Sequence, residues 1–148
     1  MTTENTPVAS GRVAGVVRTV GRWALGGALV FAGVGHLTAQ RTEFQAQVPE
    51  WFPIEADRVV VVSGVIEIVL GLALVAGRRR VAVGWVVAAF FVAIFPGNIA
   101  QWVEGTDAFG LDSDGARFAR LFFQPVLVVW ALWSTGAWRA WRRAQRGS

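Results

Sequence analysis

The sequence predicts an all-α protein: a bundle of four transmembrane helices with both termini on the same, cytoplasmic side. Three observations predict it. Hydrophobic residues make up 54% of the 148 residues and charged residues 16%, where roughly 25% charged is usual in soluble chains. Charges divide the chain into four windows of 18 to 23 residues that are uncharged or nearly so. The basic residues, every one of them Arg, gather between alternate windows.

The windows are residues 23–40, 59–77, 81–103 and 121–138. A helix rises about 1.5 Å per residue, so about 20 residues cross the roughly 30 Å of hydrocarbon. Lipid cannot satisfy bare backbone polar groups, which leaves helices or a closed barrel. Barrel strands alternate apolar and polar side chains; the run Val81 to Phe95 does not. Trp23, Trp51, Trp85, Trp102, Trp138 and Trp141 fall near window ends, where amphipathic rings suit the headgroup layer. Arg12, Arg18 and Arg22 before the first window could be read as the start of a signal peptide. No small-residue cleavage site follows, so a retained helix is expected.

Orientation comes from Arg. Arg12, Arg18 and Arg22 precede the first window, Arg78, Arg79 and Arg80 join the second to the third, and Arg139, Arg142, Arg143 and Arg146 follow the fourth. The opposite loops lean acidic, with Glu43, Glu50, Glu55 and Asp57 in one and Glu104, Asp107, Asp112 and Asp114 in the other. The expected organisation is a cytoplasmic segment at 1–20, a four-helix membrane domain at 21–141 and a basic cytoplasmic tail at 142–148. The same Arg distribution argues against nucleic acid as a partner, because no single soluble face collects the charge. With no Cys, disulfides, thiolate metal sites and thiol catalysis within the chain are excluded.

The outer loops carry two features. In Val48-Pro49-Glu50-Trp51-Phe52-Pro53 the prolines prevent a regular helix, and the aromatics suggest an interfacial anchor or a cap on the bundle. Asp112-Ser113-Asp114-Gly115 faintly echoes a calcium loop but lacks its later ligands. An N-terminal cap for the fourth helix is the expectation.

Polar residues inside the windows mark the candidate site. Glu67 lies about 12 Å from the outer end of the second window. His36 is close to the outer end of the first, Asn98 and Gln101 share a face of the third, and Arg117, Arg120 and Gln124 share a face of the fourth. Antiparallel packing puts all of them in the outer half. A charge at the bilayer centre costs about 2.5–3.5 kcal/mol, so Glu67 should face protein, with Arg120 and His36 its natural partners. Ser63, Gly64 and Gly71 around it permit close helix approach. Pro96 and Pro125 are expected to break or kink the third and fourth helices beside this cluster. Two readings stand: a network that locks the helices together, or a ligand or proton site. One His cannot give a haem two axial ligands, and zinc would need another good ligand.

The stretches Ala32-Gly33-Val34-Gly35-His36, Val48-Pro49 to Pro53, Ser63 to Gly71, Phe95-Pro96-Gly97-Asn98 and Arg120 to Pro125 resemble the DoxX family of small membrane proteins, from about Ala24 to Trp133. The resemblance implies a four-helix bundle in a bacterial inner membrane, linked to quinone-dependent sulfur oxidation or oxidative-stress systems. The matching positions are His36, Glu67, Asn98, Arg120 and Gln124. The absence of Cys argues against direct sulfur carriage. Three functions are then open. One is a redox-system membrane subunit whose pocket binds a quinone or similar amphipathic ligand. Another is a scaffold for membrane or extracytoplasmic partner proteins, or for a second copy of the chain. The third is a small proton-coupled transporter. No electron carrier is visible, so a complete oxidoreductase in this chain alone is not expected.

Overall fold

The computed structural model describes residues 7–105 and 113–147, with the side chains of residues 7–10, Asp114 and Arg117 outside that description. Asp107 and Asp112 therefore lie outside the described residues. Within them the chain forms helices and turns, with no strand. The helices are α1 (Pro7–Leu37), α2 (Arg41–Gln45), α3 (Ala56–Ala76), α4 (Arg80–Val103), α5 (Asp114–Thr135) and α6 (Ala137–Arg146). Four of them, α1, α3, α4 and α5, are long and apolar enough to cross a membrane. The chain is a multi-pass helical membrane protein.

Side-chain burial fits a lipid solvent. Less than a third of each spanning window is buried. Phe31, Val62, Val69, Phe122 and Val129 point outward, where an aqueous fold would leave a costly apolar surface and a bilayer does not.

The bundle is built from two intimate pairs, α1 with α3 and α4 with α5. In the first pair the helices are nearly in backbone contact at two places. A Cβ on Gly33 would lie 2.5 Å from Gly64 O, and one on Gly26 would lie 2.7 Å from Gly71 O. The two contacts are seven residues apart on each helix, which keeps one antiparallel seam in register. Between lipid-exposed helices van der Waals packing is a main source of association, so small residues at the seam set the spacing. The two pairs meet in an apolar core of Leu25, Leu29, Leu74, Val87, Phe91 and Ala131.

At the Arg-rich end, the side chains of Arg22 and Trp23 reach the last carbonyls of α3: Arg22 donates to Leu74 O and Val75 O, and Trp23 Nε1 to Val75 O. These are the carbonyls that a helix end leaves without intrahelical partners. Gly77 then adopts φ 69°, so the chain turns into α4 within three residues. Trp130 Nε1 donates to Gly21 O at 2.9 Å and ties α5 to α1.

Three features differ from the sequence expectation. The described part of segment 1–20 is continuous with the first span, because α1 begins at Pro7 and its apolar stretch at Gly11. The basic tail is not an appendage either; 142–146 belong to α6, which packs on α4 and α5. Of the break or kink expected at each proline, the break does not occur, since α4 and α5 run continuously through Pro96 and Pro125. A proline removes one ladder bond, and neighbouring protein can receive what is freed. The expected cap does form: Ser113 Oγ accepts from Ala116 N at the start of α5.

The glycine seam gives a contrast to measure. Gly33→Val should lower stability by about 1–3 kcal/mol, the usual range for overpacking. Gly27→Val, six residues away on α1 where a Cβ meets nothing within 4 Å, should be nearly neutral. Thermal unfolding in mild detergent compares the two.

Candidate functional site

The α1–α3 seam determines where the ionisable side chains sit. Gly64 lets α3 approach until its Cβ position would be 2.7 Å from His36 Cβ, and one turn further on Glu67 faces α1. His36 Nδ1 and Glu67 Oε2 are 2.9 Å apart, and both residues are buried, at 7% and 5% exposure. Nδ1 is also 2.9 Å from Ala32 O. A carbonyl only accepts, so that bond requires a proton on Nδ1. With Nδ1 engaged by the protein, Nε2 is the ring atom left for an occupant. Glu67 Oε2 has no hydrogen-bond partner of suitable geometry.

Above this pair lies α2. The Phe44 ring stacks on His36 with centroids 3.3 Å apart and planes 15° from parallel. Arg41 holds Asp57 through two bonds, Nε to Oδ1 at 2.7 Å and Nη2 to Oδ2 at 2.6 Å, and Gln45 Nε2 adds a third at 2.7 Å. The hydrogen bond to Asp57 raises the Arg41 guanidinium above its ordinary pKa. These contacts fasten α2 to the beginning of α3. The loop that follows is non-helical through its prolines, as expected, and returns over the bundle with Phe52 N bonded to Pro49 O.

The second helix pair supplies a different kind of polar contact. Asn98 Nδ2 donates to Gln124 Oε1 at 2.9 Å, and Gln124 Nε2 donates to Phe91 O at 2.7 Å, in the turn of α4 preceding Pro96. Arg120 Nη1 donates to Gln101 Oε1 at 3.1 Å, and Nη2 to Gln47 Oε1 at 3.2 Å. Arg120 was an expected partner of Glu67. Its described bonds go instead to Gln101 on its neighbour helix and to Gln47 in the loop, while His36 is the residue beside Glu67. Gln47 then has Nε2 left as a buried donor with no hydrogen-bond partner.

A cavity of about 630 Å³ opens between the two helix pairs. Core residues Leu25, Leu29 and Phe91 form its floor. His36, Glu67, Asn98, Arg120 and Gln124 lie on its wall with Ser63 and Gln47, and Phe44, Trp51 and Phe52 roof it. Its size is that of a small-molecule site, and its wall is mostly apolar with a few placed polar groups. Five of the six sequence-selected residues line it. Gln101, only 2% exposed, stands behind the wall and holds Arg120. The side chain of Arg117 lies outside the described residues. Sequence reasoning missed Gln47 and Phe44. Both lie between windows, and neither spacing nor charge distinguishes them from other loop residues. The aromatic Trp51-Phe52 pair was read as an anchor or a cap, and it serves as part of the roof.

Fold and site together define a polytopic helical membrane protein with a mostly apolar cavity, set with a few polar groups, at the α2 end of its bundle. Residues 25–135 match the family described as "Domain of unknown function (DUF8561)", and the chain belongs to that family. No curated protein and no solved structure matches it.

The Asn98–Gln124–Phe91 chain makes a specific prediction. Gln124→Leu keeps the side-chain volume but strands Asn98 Nδ2 and removes the bond to Phe91 O. Stability should fall by about 1–2 kcal/mol, measured by denaturation in detergent.

Proposed function

We propose that this chain is a ligand-binding subunit of a membrane redox or oxidative-stress system, and that the cavity holds the head of a quinone-like or lipid ligand. One observation carries the reading. A mostly apolar cavity has on its wall a buried carboxylate, Glu67, whose Oε2 sits 2.9 Å from His36 Nδ1 without a hydrogen bond of suitable geometry, and the half-buried Gln47, whose buried Nε2 has no hydrogen-bond partner. Buried polar atoms are nearly always satisfied in folded proteins, so such pairs mark functional positions. Ionisable groups inside a membrane span point the same way.

The residues present fit a quinone. Gln47 Nε2 and the Arg120 guanidinium can donate to a carbonyl oxygen, while Glu67 and His36 Nε2 can accept from a hydroxyl. A quinone bound there would supply two-electron, two-proton redox chemistry. The chain's own part is to orient the head between donor and acceptor sides, to exclude water with the α2 roof, and to hold or pass a proton at Glu67. Electrons would have to reach a partner protein, since the sequence offers no carrier. The resemblance to the DoxX family supports this assignment at His36, Glu67, Asn98, Arg120 and Gln124. On this reading Asn98, Gln101 and Gln124 brace the wall, and His36, Glu67, Gln47 and Arg120 meet the ligand.

Small molecules extracted from protein purified in mild detergent test the proposal, with wild type measured beside Glu67→Gln and Arg120→Ala. A quinone or a defined lipid should be retained by wild type and reduced at least tenfold in both variants, a change of about 1.4 kcal/mol in affinity. If nothing specific is retained and both variants only lose thermal stability, the polar cluster is a lock and the chain is a scaffold for partner proteins.

The same reading places the protein in the plasma membrane of a bacterium with both termini in the cytoplasm and the cavity in the outer half. The distribution of Arg supports that orientation. The absence of Cys gives a clean background for labelling. Gln145→Cys should react with a membrane-impermeant maleimide only after the cells are opened, and Glu50→Cys should react in intact spheroplasts. The reverse pattern would invert the topology.

A further inference from the structure

The opposite end of the molecule carries a second feature, on α6. Its four arginines, Arg139, Arg142, Arg143 and Arg146, follow an i, i+3, i+4, i+7 pattern. At about 100° per residue they fall within an arc of about 100°. Ala137, Ala140, Trp141 and Ala144 occupy the other side. Ala137 is fully buried, and the helix packs on α4 and α5, so the arginine face is fixed relative to the bundle. All four arginines are exposed, and their side chains line a recess of about 200 Å³.

Among the described residues at this end of the bundle, no Asp or Glu is present to act as a counter-ion. No Asp or Glu follows Asp114, and none lies between Glu67 and Glu104. The described ion pairs involve His36, Arg41 and Arg58, not these residues. Like charges three and four residues apart oppose helix formation. The helix dipole offsets this for Arg143 and Arg146 in the last turn, but Arg139 and Arg142 stand nearer the positive end, where the dipole adds to the strain. An anion in the recess would relieve both terms.

The surroundings specify which anion. Only Gly136, with φ 75°, separates α6 from the spanning helix α5, so the recess sits at the depth where the hydrocarbon ends. Trp138 and Trp141 pack together on the same helix with centroids 5.2 Å apart and remain about half exposed. Trp prefers that headgroup layer. Arg guanidinium groups bind phosphate oxygens in a bidentate fork.

We propose that α6 is an anionic-phospholipid binding site, in which the four arginines hold the phosphate of a lipid headgroup while the two tryptophans, on the flank and far side of the helix, seat α6 in the headgroup layer. The occupant is a lipid of the surrounding leaflet, not a free anion. This site is independent of the cavity at the α2 end.

The test uses the full-length chain in a neutral detergent. Short-chain phosphatidylglycerol, short-chain phosphatidylcholine or inorganic phosphate is added, and bound molecules are counted by native mass spectrometry alongside thermal stability. Phosphatidylglycerol should bind at least tenfold more tightly than phosphatidylcholine, at roughly a tenfold-or-less gain per Arg near a charged surface. The preference should vanish in the variant R139Q/R142Q/R143Q/R146Q, be intermediate in R142Q/R143Q, and persist in R78Q/R79Q/R80Q. The intermediate variant keeps half the charge and decides the matter if the fourfold one does not fold. Three results would overturn the proposal: an unchanged preference in both α6 variants, an equal loss in the Arg78–Arg80 variant, or displacement of the lipid by inorganic phosphate at equal concentration. The second would mean diffuse surface charge, and the third a free-anion site.

Discussion

The structure depends on how closely α1 and α3 can approach. At Gly26 with Gly71 and at Gly33 with Gly64, each helix lies against the other's backbone. No side chain larger than hydrogen fits at these points. In water such a seam would add to a hydrophobic drive; in lipid it takes over part of that role, because apolar side chains gain little by leaving acyl chains for one another. The seam also has a chemical consequence. It brings a carboxylate and an imidazole, one from each helix, to 2.9 Å inside a region where either alone would be costly. The apolar pairing and the polar pair therefore arise from the same glycines.

The two helix pairs treat polar groups differently. On α4 and α5 the amides of Asn98 and Gln124 and the carbonyl of Phe91 bond to one another, and Gln101 Oε1 accepts a hydrogen bond from Arg120. Those groups are largely spent on structure. On the α1 and α3 side the carboxylate of Glu67 retains an unsatisfied oxygen, and the loop amide of Gln47 retains an unsatisfied nitrogen. A uniform polar lock would spend both sides equally. The asymmetry divides a cluster that looks like one set in the sequence into a braced wall and one with hydrogen-bonding capacity left over. The helix continues through Pro96, and in the turn before it a carbonyl is turned to use as an acceptor for α5.

Much of this was legible in the sequence because membranes impose simple rules. Length, charge spacing and Arg distribution identify four spans, and antiparallel geometry alone gathers His36, Glu67, Asn98, Arg120 and Gln124 at one end. The choice between partners was not legible. Glu67 could have met Arg120 or His36, and the answer depends on which helices pair most closely, a matter of glycine contacts between α1 and α3 that only three dimensions reveal. The contribution of Gln47 and Phe44 was hidden for another reason. Periodicity carries information only along regular helices, and these residues act from a short helix and the loop after it. The helical state of Arg142 to Arg146 was hidden by composition, since a run of Arg near a chain end reads as a solvated tail until the apolar side of α6 is seen against the bundle.

The fastening of α2 has a mechanical consequence. Its salt bridge to Asp57 and its ring stack on His36 make the roof of the cavity part of the α1–α3 half. The far wall, with Phe123, Gln124 and Leu127, belongs to the α4–α5 half. The halves are joined by the apolar core below and bridged above by the hydrogen bond between Arg120 and Gln47. The two halves thus meet at Leu29 and Phe91 below the cavity and at Gln47 above it, and Trp130 ties α5 to α1 at the far end. The loop amide of Gln47 therefore fixes where the roof stands against the far wall.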